Sequence, residues 1–377
     1  MCRMISRLAV ANYRSLRDLV IPMRQLTVVS GDNGAGKSNL YRALRLLADT
    51  AYGGVSMALA REGGLASVLW AGLNPKCRST VAPTSLRLGY ATETLGYCID
   101  LGYPSPANSA FDYDPEIKSE YIWSGAHPRP NAALVDRHGQ IVRVRYAPGG
   151  DNETVIRIPP YDSILTHVAD PERAPEIFKI REFMRSWRFY DHFRVDSTSP
   201  IREPHLATRT PVLSNDGRDL ASALQTIREV GDAAALSQTI EDAFPGTSLC
   251  ITPLDRHLTF SLKQPGLSRP LSAAELSDGT LRYILWTAAL LTPRPAALTV
   301  LNEPETSLHP DLLPSLARLI VKASAHSQLW VVSHSSHLIS ALQGEDCAAI
   351  RLVKTMNETT VVGQDLLDRP SWHWPQR

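Results

Sequence analysis

The segment GDNGAGKS, from Gly31 to Ser38, has the residue types and spacing of a loop that wraps its main chain around a phosphate group. It matches the pattern GxxxxGK[ST] in full, between an apolar strand-like stretch and a helix-like stretch. Such glycines let backbone N–H groups turn inward, and a helix N-terminus adds partial positive charge. We therefore expect Lys37 to reach the terminal phosphates of a nucleotide and Ser38 to offer a hydroxyl to Mg²⁺. A plain glycine turn is the alternative.

A second set of polar residues follows apolar stretches much later in the chain. The strand-like ALTVLN ends in Asn302-Glu303-Pro304-Glu305, and the strand-like LWVVS is followed directly by His334. Upstream of both lies the segment ELSDGTLRY, from Glu275 to Tyr283. Asn302 stands where a nucleotide-hydrolysing site usually has an acid, so this position bears on whether the protein hydrolyses ATP.

The elements that position these residues are predicted from hydrophobic periodicity. Residues 5–30 give short apolar strands that run into the glycine-rich loop and the periodic NLYRALRLLAD. After Phe260, helices and apolar strands alternate, which is typical of a parallel sheet covered on both faces. We predict one nucleotide-binding sheet built from both ends of the chain.

A long insertion separates the two ends. From about Thr84 to Ile158, short alternating segments are separated by turn residues, which predicts an antiparallel sheet. Residues 161–243 read as mainly helical, with a proline-rich interruption. The predicted domains are residues 1–83 and 261–377, which form the two parts of a head, and the insertion 84–260.

Composition limits the class of protein. The chain has 377 residues, 44% of them apolar, and a formal net charge of +1, so any nucleic-acid site must be a local patch. The five cysteines are scattered and none forms a CxxC pair, which argues against a disulfide framework or a zinc site. They are Cys2, Cys77, Cys98, Cys250 and Cys347. No apolar run approaches the ~20 residues of a bilayer span, and we expect a cytoplasmic protein.

The order of phosphate loop, long insertion, LSDGT, NEPE and strand-plus-histidine resembles the ABC-type, AAA-family ATPase heads of the RecF, SMC and OLD group. The resemblance is firm over roughly residues 1–50 and 270–355. It is closest to small bacterial predicted ATPases without long coiled coils or a Toprim domain. It implies an α/β fold: a P-loop NTPase with a mixed sheet covered by helices, plus an antiparallel-β and helical insertion.

The resemblance also implies roles for individual residues. Glu303 is in the position of the general base, His334 in that of the switch histidine, and Thr306 to Leu308 in that of a D-loop at a dimer interface. Ser277 and Gly279 are in the position of the signature that contacts ATP on a partner protomer, so ATP would join two heads. The predicted nucleotide-binding residues are Arg14, Asn33, Gly34, Gly36, Lys37, Ser38, Asn39, Ser277 and Gly279; the predicted metal-binding residues are Ser38 and Asn302.

Several of these residues have structural alternatives. Ser277 also suits a helix cap, His309 before Pro310 suits a helix start, and His334 suits a strand end. Arg14 is either a phosphate contact or a solvated strand residue. The glutamine loop of such heads has no assigned position in this chain.

Asn302 affects the predicted reaction through its charge. An asparagine keeps an oxygen acceptor but lacks the negative charge that helps to hold hydrated Mg²⁺. Water, the Ser38 hydroxyl and phosphate oxygens can still complete the metal shell, and Glu303 is retained as a base. We expect slow ATP hydrolysis; the alternative is a nucleotide-sensing scaffold that binds ATP without significant turnover.

Two features of the insertion concern partners. In EIFKIREFMRSWRFYDHFR, Arg181, Arg185 and Arg188 fall at i, i+4 and i+7, so a helix over 179–194 would carry a basic stripe suited to DNA or RNA, or simply a solvated face. Arg185 and His192 have the spacing of a HEPN ribonuclease motif, but the flanking prolines disfavour that interpretation. A transport ATPase is disfavoured by the long insertion. The expected setting is DNA maintenance or antiphage defence, with a separately encoded effector as another possible partner.

Overall fold

The computed structural model describes residues 4–72, 85–104, 110–145, 153–168, 170–191, 193–344, 347–364 and 368–375. They form two compact units, and the chain passes between the units several times. Unit 1 comprises Met1–Arg24, Val29–Trp187 and Ala348–Arg377; unit 2 comprises Gln25–Val28 and Arg188–Cys347. His192, Cys2 and Cys77, which entered the sequence interpretation, lie outside the described residues. No helix in the described ranges is long and apolar enough to cross a membrane.

The regular elements are numbered in chain order. The strands are β1 (Ile5–Tyr13), β2 (Leu16–Pro22), β3 (Leu26–Gly31), β4 (Ser85–Thr92), β5 (Leu95–Gly102), β6 (Glu116–Ser124), β7 (Ala133–His138), β8 (Ile141–Arg145), β9 (Glu153–Arg157), β10 (Arg188–Tyr190), β11 (His205–Leu206), β12 (Ser248–Leu254), β13 (His257–Lys263), β14 (Leu271–Ser272), β15 (Leu298–Asn302), β16 (Gln328–Val332), β17 (Cys347–Thr355) and β18 (Glu358–Val361). The α-helices are α1 (Lys37–Asp49), α2 (Val55–Arg61), α3 (Leu65–Val68), α4 (Ile164–His167), α5 (Pro175–Arg185), α6 (Leu220–Val230), α7 (Ala233–Ala243), α8 (Asp278–Leu290), α9 (Leu313–Ser324) and α10 (Ser336–Leu342).

Unit 1 is built on an eight-stranded antiparallel sheet in the order β2-β1-β4-β5-β6-β7-β8-β9. The predicted antiparallel sheet is confirmed over β4 to β9, and the bounds of the insertion stay a prediction. These strands continue the hairpin of β1 and β2, because β4 pairs with the free edge of β1 in a register that places Leu8 opposite Tyr90. One face is apolar and packs on α1 and α5, where Tyr90, Phe183 and Trp187 contact one another edge-on or tilted.

A buried ion pair fixes the loop before α4 to this sheet. The Glu120 and Arg137 side chains are fully buried and lie 2.7 Å apart. Glu120 also accepts hydrogen bonds from the Tyr97 and Ser163 hydroxyls and from the Ile164 N–H, while Arg137 donates to the carbonyls of Pro159, Gly139 and Asp162. The charges are thus fully hydrogen-bonded, which is the condition for a tolerable buried pair.

Unit 2 contains the predicted parallel strands. β10 pairs with β15, and β15 pairs with β16, both in parallel. The first part of β3 lies beside β16, where Leu329 N–H donates to the Gln25 carbonyl at 2.8 Å. Helices α6, α8 and α9 pack into one apolar core, and α8 is buried almost all round. β11, β12, β13 and β14 form a small separate sheet.

The helix predicted across 179–194 is wrong in its second half. α5 ends at Arg185, and Arg188 begins the parallel strand β10, so the three arginines share no helical face. Phe189 and Tyr190 satisfy a strand pattern as well as a helical one over so short a stretch, and pairing with β15 decides between them. Arg185 donates instead to the Ala51 carbonyl at 2.9 Å.

Candidate nucleotide site

The phosphate loop joins the end of β3 to the start of α1 in unit 1. Gly34 and Gly36 both have positive φ, +81° and +105°, which L side chains rarely adopt. Gly36 occupies the N-cap position of α1, so the unpaired N–H groups of the first helical turn face the loop. A Cβ on Gly36 would lie 2.2 Å from Thr359 Oγ1, and therefore both conformation and space require glycine there.

Lys37 is almost completely buried and turns back over the loop. Its ammonium group donates to the carbonyls of Gly31 at 2.5 Å and Asp32 at 3.2 Å. Within the described ranges, no carboxylate forms an ion pair with it, so its positive charge is available to an anion. Asn33, Gly34 and Ser38 are exposed, and a Cβ on Gly34 would meet open space.

A chain of hydrogen bonds supports the loop from outside. Asn39 Nδ2 donates to Ser15 Oγ at 2.8 Å, and the hydroxyls of Ser15 and Thr359 lie 2.7 Å apart. Thr359 Oγ1 donates to the Ala35 carbonyl at 2.9 Å. Sequence reasoning missed Thr359, which is 324 positions from Ala35 and belongs to no recognised motif.

Arg14 forms an ion pair within unit 1. Its guanidinium lies 2.7 Å from Glu62 Oε2, which also accepts from the Tyr13 hydroxyl at 2.7 Å. Burial, followed by the hydrogen bond to Glu62, raises the pKa of Tyr13 above its usual range. The backbone of Arg14 has a φ of +48°. Its contact with phosphate stays a prediction.

In unit 2, the predicted base and switch histidine lie close together at the carboxyl ends of neighbouring strands. Asn302 ends β15 opposite Val332 of β16, and Glu303 follows with a φ of +49°. His334 Nδ1 lies 3.8 Å from Glu303 Oε1. Both side chains are about half exposed, so a reacting group can approach them.

A second glutamate, to which sequence reasoning gave no role, forms hydrogen bonds with the loop that carries His334. Glu305 is buried, and its Oε1 accepts from the Ser333 hydroxyl at 2.6 Å and from the N–H groups of His334 and Ser335 at 3.0 and 3.1 Å. The same oxygen lies 3.5 Å from His334 Nδ1. Glu305 therefore fixes the loop between β16 and α10, and His334 lies between two carboxylates.

The predicted signature begins α8. Ser277 is its N-cap and accepts from the Thr280 N–H at 3.2 Å, which confirms the helix-cap interpretation. A Cβ on Gly279 would lie 3.0 Å from the carbonyl of Ser307, a residue of the predicted D-loop with a φ of +62°. The structure thus brings the predicted signature and the D-loop together within unit 2.

Arg202 is the third residue that sequence reasoning missed. Its guanidinium donates to the Leu276 carbonyl at 2.8 Å, the Val195 carbonyl at 2.7 Å and Asp278 Oδ1 at 2.6 Å. The side chain is 9% exposed, so these contacts are largely shielded from water. Arg202 comes from the proline-rich interruption and holds the predicted signature in place, although the sequence pattern there gives no sign of these contacts.

The few protein groups that could bind a metal ion suit a Mg²⁺ that is bound mainly by the phosphates of a nucleotide. The described residues contain no group of three or more His, Cys, Asp or Glu side chains that could hold a metal. Mg²⁺ suits such a site because it keeps several waters and is commonly bound through phosphates and one or two protein oxygens. The exposed Ser38 hydroxyl and the Asn302 amide oxygen are the protein groups that remain candidates.

The strand, phosphate loop and helix of one unit, and the acid and histidine after parallel strands in the other, define a P-loop ATPase of the ABC-type head class. Residues 130–340, more than half of the chain, match the family described as "AAA domain, putative AbiEii toxin, Type IV TA system", and the chain belongs to that family. Residues 4–74 match a second family, described as AAA ATPase domain.

Solved structures of SMC heads share the fold. The SMC head domain from Thermotoga maritima is 14% identical, with 95% of this chain and 98% of that chain covered and a TM-score of 0.51. An Smc head with an extended coiled coil, bound to the C-terminal domain of ScpA derived from Pyrococcus furiosus, is 15% identical, with 95% and 96% covered and a TM-score of 0.52. At this identity the likeness concerns the fold alone.

One curated relative is an OLD nuclease from Thermus scotoductus. It is 46% identical over 44 residues, which are 12% of this chain and 8% of that protein. The match therefore spans a small part of either protein. Together these comparisons confirm the predicted ABC-type fold and the RecF, SMC and OLD group.

Proposed function

We propose that this protein binds ATP with Mg²⁺, hydrolyses it slowly, and joins a second copy of itself when ATP is bound. The observation that carries the proposal is the pairing of Glu303 with His334 at 3.8 Å, exposed at the ends of adjacent parallel strands. Glu303 would take a proton from the attacking water, and His334 would contact the γ-phosphate. Bound Mg²⁺ would supply charge neutralisation at the phosphates.

The phosphate loop supports the nucleotide-binding half of this proposal. Lys37 has no acidic partner among the described side chains, and the N–H groups of the first turn of α1 are available to phosphate oxygens. Ser277 and Gly279 would contact ATP held by the other copy. The exposed Ser277 hydroxyl and the close approach of Gly279 to Ser307 suit a signature at an interface.

Asn302 favours a second candidate function, a switch that binds ATP and recruits a partner without significant turnover. The amide lacks the negative charge that attracts a metal ion. The two functions share a binding step and differ in the fate of the γ-phosphate.

The partner is proposed at the level of class. An effector protein encoded separately is favoured by the family description, which names a toxin and a type IV toxin–antitoxin system, and by SMC-head structures bound to ScpA. DNA or RNA is the other class, in a setting of DNA maintenance or antiphage defence. The arginines of α5 give the nucleic-acid class no support.

The test is Mg²⁺-dependent phosphate release by the purified chain, with Glu303→Gln as the matched blank and Lys37→Ala as the binding control. We expect slow release by the wild type, none by Glu303→Gln, and an ATP-dependent dimer of Glu303→Gln in analytical ultracentrifugation. Equal release by the wild type and Glu303→Gln would contradict the assigned base. ATP binding and dimerisation without release by the wild type would establish the switch. Added DNA tests the nucleic-acid class.

A further inference from the structure

The face of the unit 1 antiparallel sheet that points away from α1 and α5 carries small residues beneath aromatic rings. A Cβ on Gly96 would lie 2.1 Å from Cζ2 of Trp123, and a Cβ on Gly89 would lie 2.7 Å from Cζ2 of Trp372. Both indoles therefore rest directly on the strands. Glycine in a strand commonly marks such a close approach.

Three tryptophan rings pack against one another on this face of the sheet. The Trp372 ring lies 5.6 Å from that of Trp123 and 5.4 Å from that of Trp374, both edge to face. The segment that carries Trp372 and Trp374 is tied to the rest of the unit by the Ser371 hydroxyl, 3.0 Å from His127 Nδ1.

An open cleft of about 770 Å³ lies beside these rings. Its aromatic lining is Tyr121, Trp123 and Trp374, its guanidinium groups are those of Arg129, Arg143 and Arg145, and His138 and His373 line it as well. Tyr121 faces Asp136, and Asp136 faces Arg143, across neighbouring strands, so these side chains share one face of the sheet. The volume is in the range of small-ligand sites.

The charges of the cleft favour an anion. Asp136 is the acid in its lining, and it lies 2.6 Å from Arg145 and 3.4 Å from Arg143. Arg129 is exposed and, within the described ranges, no carboxylate lies at ion-pair distance from it. Arg143 also lies 4.0 Å from Glu153 Oε1, so two carboxylates face three guanidinium groups and the charge balance is positive.

The base of the cleft also holds a buried hydrogen-bond donor. The Trp123 side chain is 1% exposed, and its indole N–H has no acceptor among the described groups. Buried polar groups are nearly always hydrogen-bonded. The cleft thus combines positive charge and aromatic faces, and the unpaired donor lies at its base, against Gly96.

We propose that this cleft binds a nucleotide unit, with the base stacked on Trp374 or Tyr121 and the phosphate held by Arg129 and Arg143. Aromatic side chains on an open sheet surface accept unpaired bases, and guanidinium groups bind phosphate. Two sources share this chemistry: a free mononucleotide and a nucleotide within a single strand. The site is distinct from the phosphate loop, and the proposal does not depend on ATP hydrolysis.

The experiment is titration calorimetry on the full chain carrying Lys37→Ala, which removes the lysine of the phosphate loop. The probes are adenosine 5′-monophosphate and a single-stranded oligodeoxyadenylate of about 12 nucleotides. We expect at least one probe to bind, with a loss of about tenfold in affinity for Trp374→Ala and for Arg129→Ala. Arg173→Ala, also an exposed arginine in unit 1, is the control and should bind normally.

Binding of the monophosphate alone would assign a free nucleotide, and binding of the oligonucleotide alone would assign a single strand. For the strand, Arg129→Ala should also lower the slope of log affinity against log salt by roughly 0.7. Binding of neither probe, or equal binding by Arg129→Ala and Arg173→Ala, would overturn the proposal. Arg129→Ala with an intact Lys37 should release phosphate from ATP at the wild-type rate. A failure of the cleft proposal can therefore be told apart from a failure of the proposed ATPase.

Discussion

Glu305 Oε1 and the Ser333 hydroxyl lie 2.6 Å apart, and this buried contact joins the loop after β15 to the loop after β16. The same carboxylate oxygen accepts the N–H groups of His334 and Ser335. The position of His334, the proposed switch histidine, therefore depends on a residue that would not itself touch the nucleotide in the proposed reaction. Glu305 is a positioning residue.

Replacing Glu305 tests that dependence. Glu305→Gln keeps the shape, but it removes the negative charge and places an amide where Oε2 is buried without a hydrogen-bond partner among the described atoms. We expect the free energy of unfolding to fall by about 1–3 kcal/mol and phosphate release to slow while ATP affinity is kept. Urea unfolding, nucleotide titration and steady-state release measure the three effects. Exposed Glu182→Gln is the control, and unchanged release by folded Glu305→Gln would refute the positioning role.

Arg202 is expected to keep the predicted signature in the position that ATP-dependent dimerisation requires. Arg202→Lys keeps a positive charge but cannot reach the Leu276 carbonyl, the Val195 carbonyl and Asp278 Oδ1 at once. We predict that ATP-dependent dimerisation weakens at least tenfold while binding of ATP to the monomer is unchanged. Sedimentation on the Glu303→Gln background measures the dimer, and fluorescent nucleotide binding measures the monomer.

Arg218→Lys, an exposed arginine paired with Asp216, is the matched control for Arg202→Lys. If Arg202→Lys dimerised as well as this control, the anchoring of the signature would not contribute to dimer formation.

Local patterns were sufficient for some parts of the site and insufficient for others. The phosphate loop and the Ser277 cap depend on residues within a few positions of one another, so the sequence displays them directly. The contacts of Arg202 with Asp278, of Glu305 with Ser333 and of Thr359 with Ala35 join residues that are 76, 28 and 324 positions apart. Only the folded chain brings such pairs together, and no periodicity marks them.

The fold shows the same division. Strand alternation correctly predicted β4 to β9, but it gave no sign that they extend the hairpin of β1 and β2, since strand pairing is a long-range property. The helix over 179–194 was extended too far because Trp187, Phe189 and Tyr190 can satisfy either period. The hydrogen bonds of the β10–β15 pairing favour the strand over the helix for this stretch.

Thr359 should affect nucleotide affinity from outside the phosphate loop. Thr359→Val retains the volume but removes the hydroxyl that bonds to the Ala35 carbonyl and to Ser15 Oγ. With a net loss of about 1 kcal/mol, ATP affinity should fall about fivefold. Calorimetric titration of Thr359→Val against Thr360→Val, its neighbour in β18, tests this. Equal affinities in the two variants would show that the hydroxyl does not support the loop.

The pair of Glu120 and Arg137 should dominate the stability of unit 1. Glu120→Ala leaves a fully buried guanidinium without its counter-charge, and the expected loss is about 3–5 kcal/mol. Glu116→Ala removes a partly exposed partner of Lys118 on the same strand and should cost less than about 1 kcal/mol. Urea unfolding followed by circular dichroism compares the two. Similar losses of unfolding free energy in the two variants would mean that the carbonyl contacts of Arg137 are enough to stabilise its buried charge.

Glu275, next to the signature, should make local stability depend on pH. The hydrogen bonds from the Arg269 guanidinium, followed by those from Ser272, lower the pKa of Glu275 to about 2. Because the folded pKa is the lower one, the stabilisation is present above the ordinary pKa and is lost as pH falls through about 2. Arg269→Ala should move the midpoint upward, as followed by the carboxyl ¹³C shift of Glu275, whereas Arg194→Ala should leave it unchanged. An unmoved midpoint in Arg269→Ala would assign the low pKa to Ser272 instead.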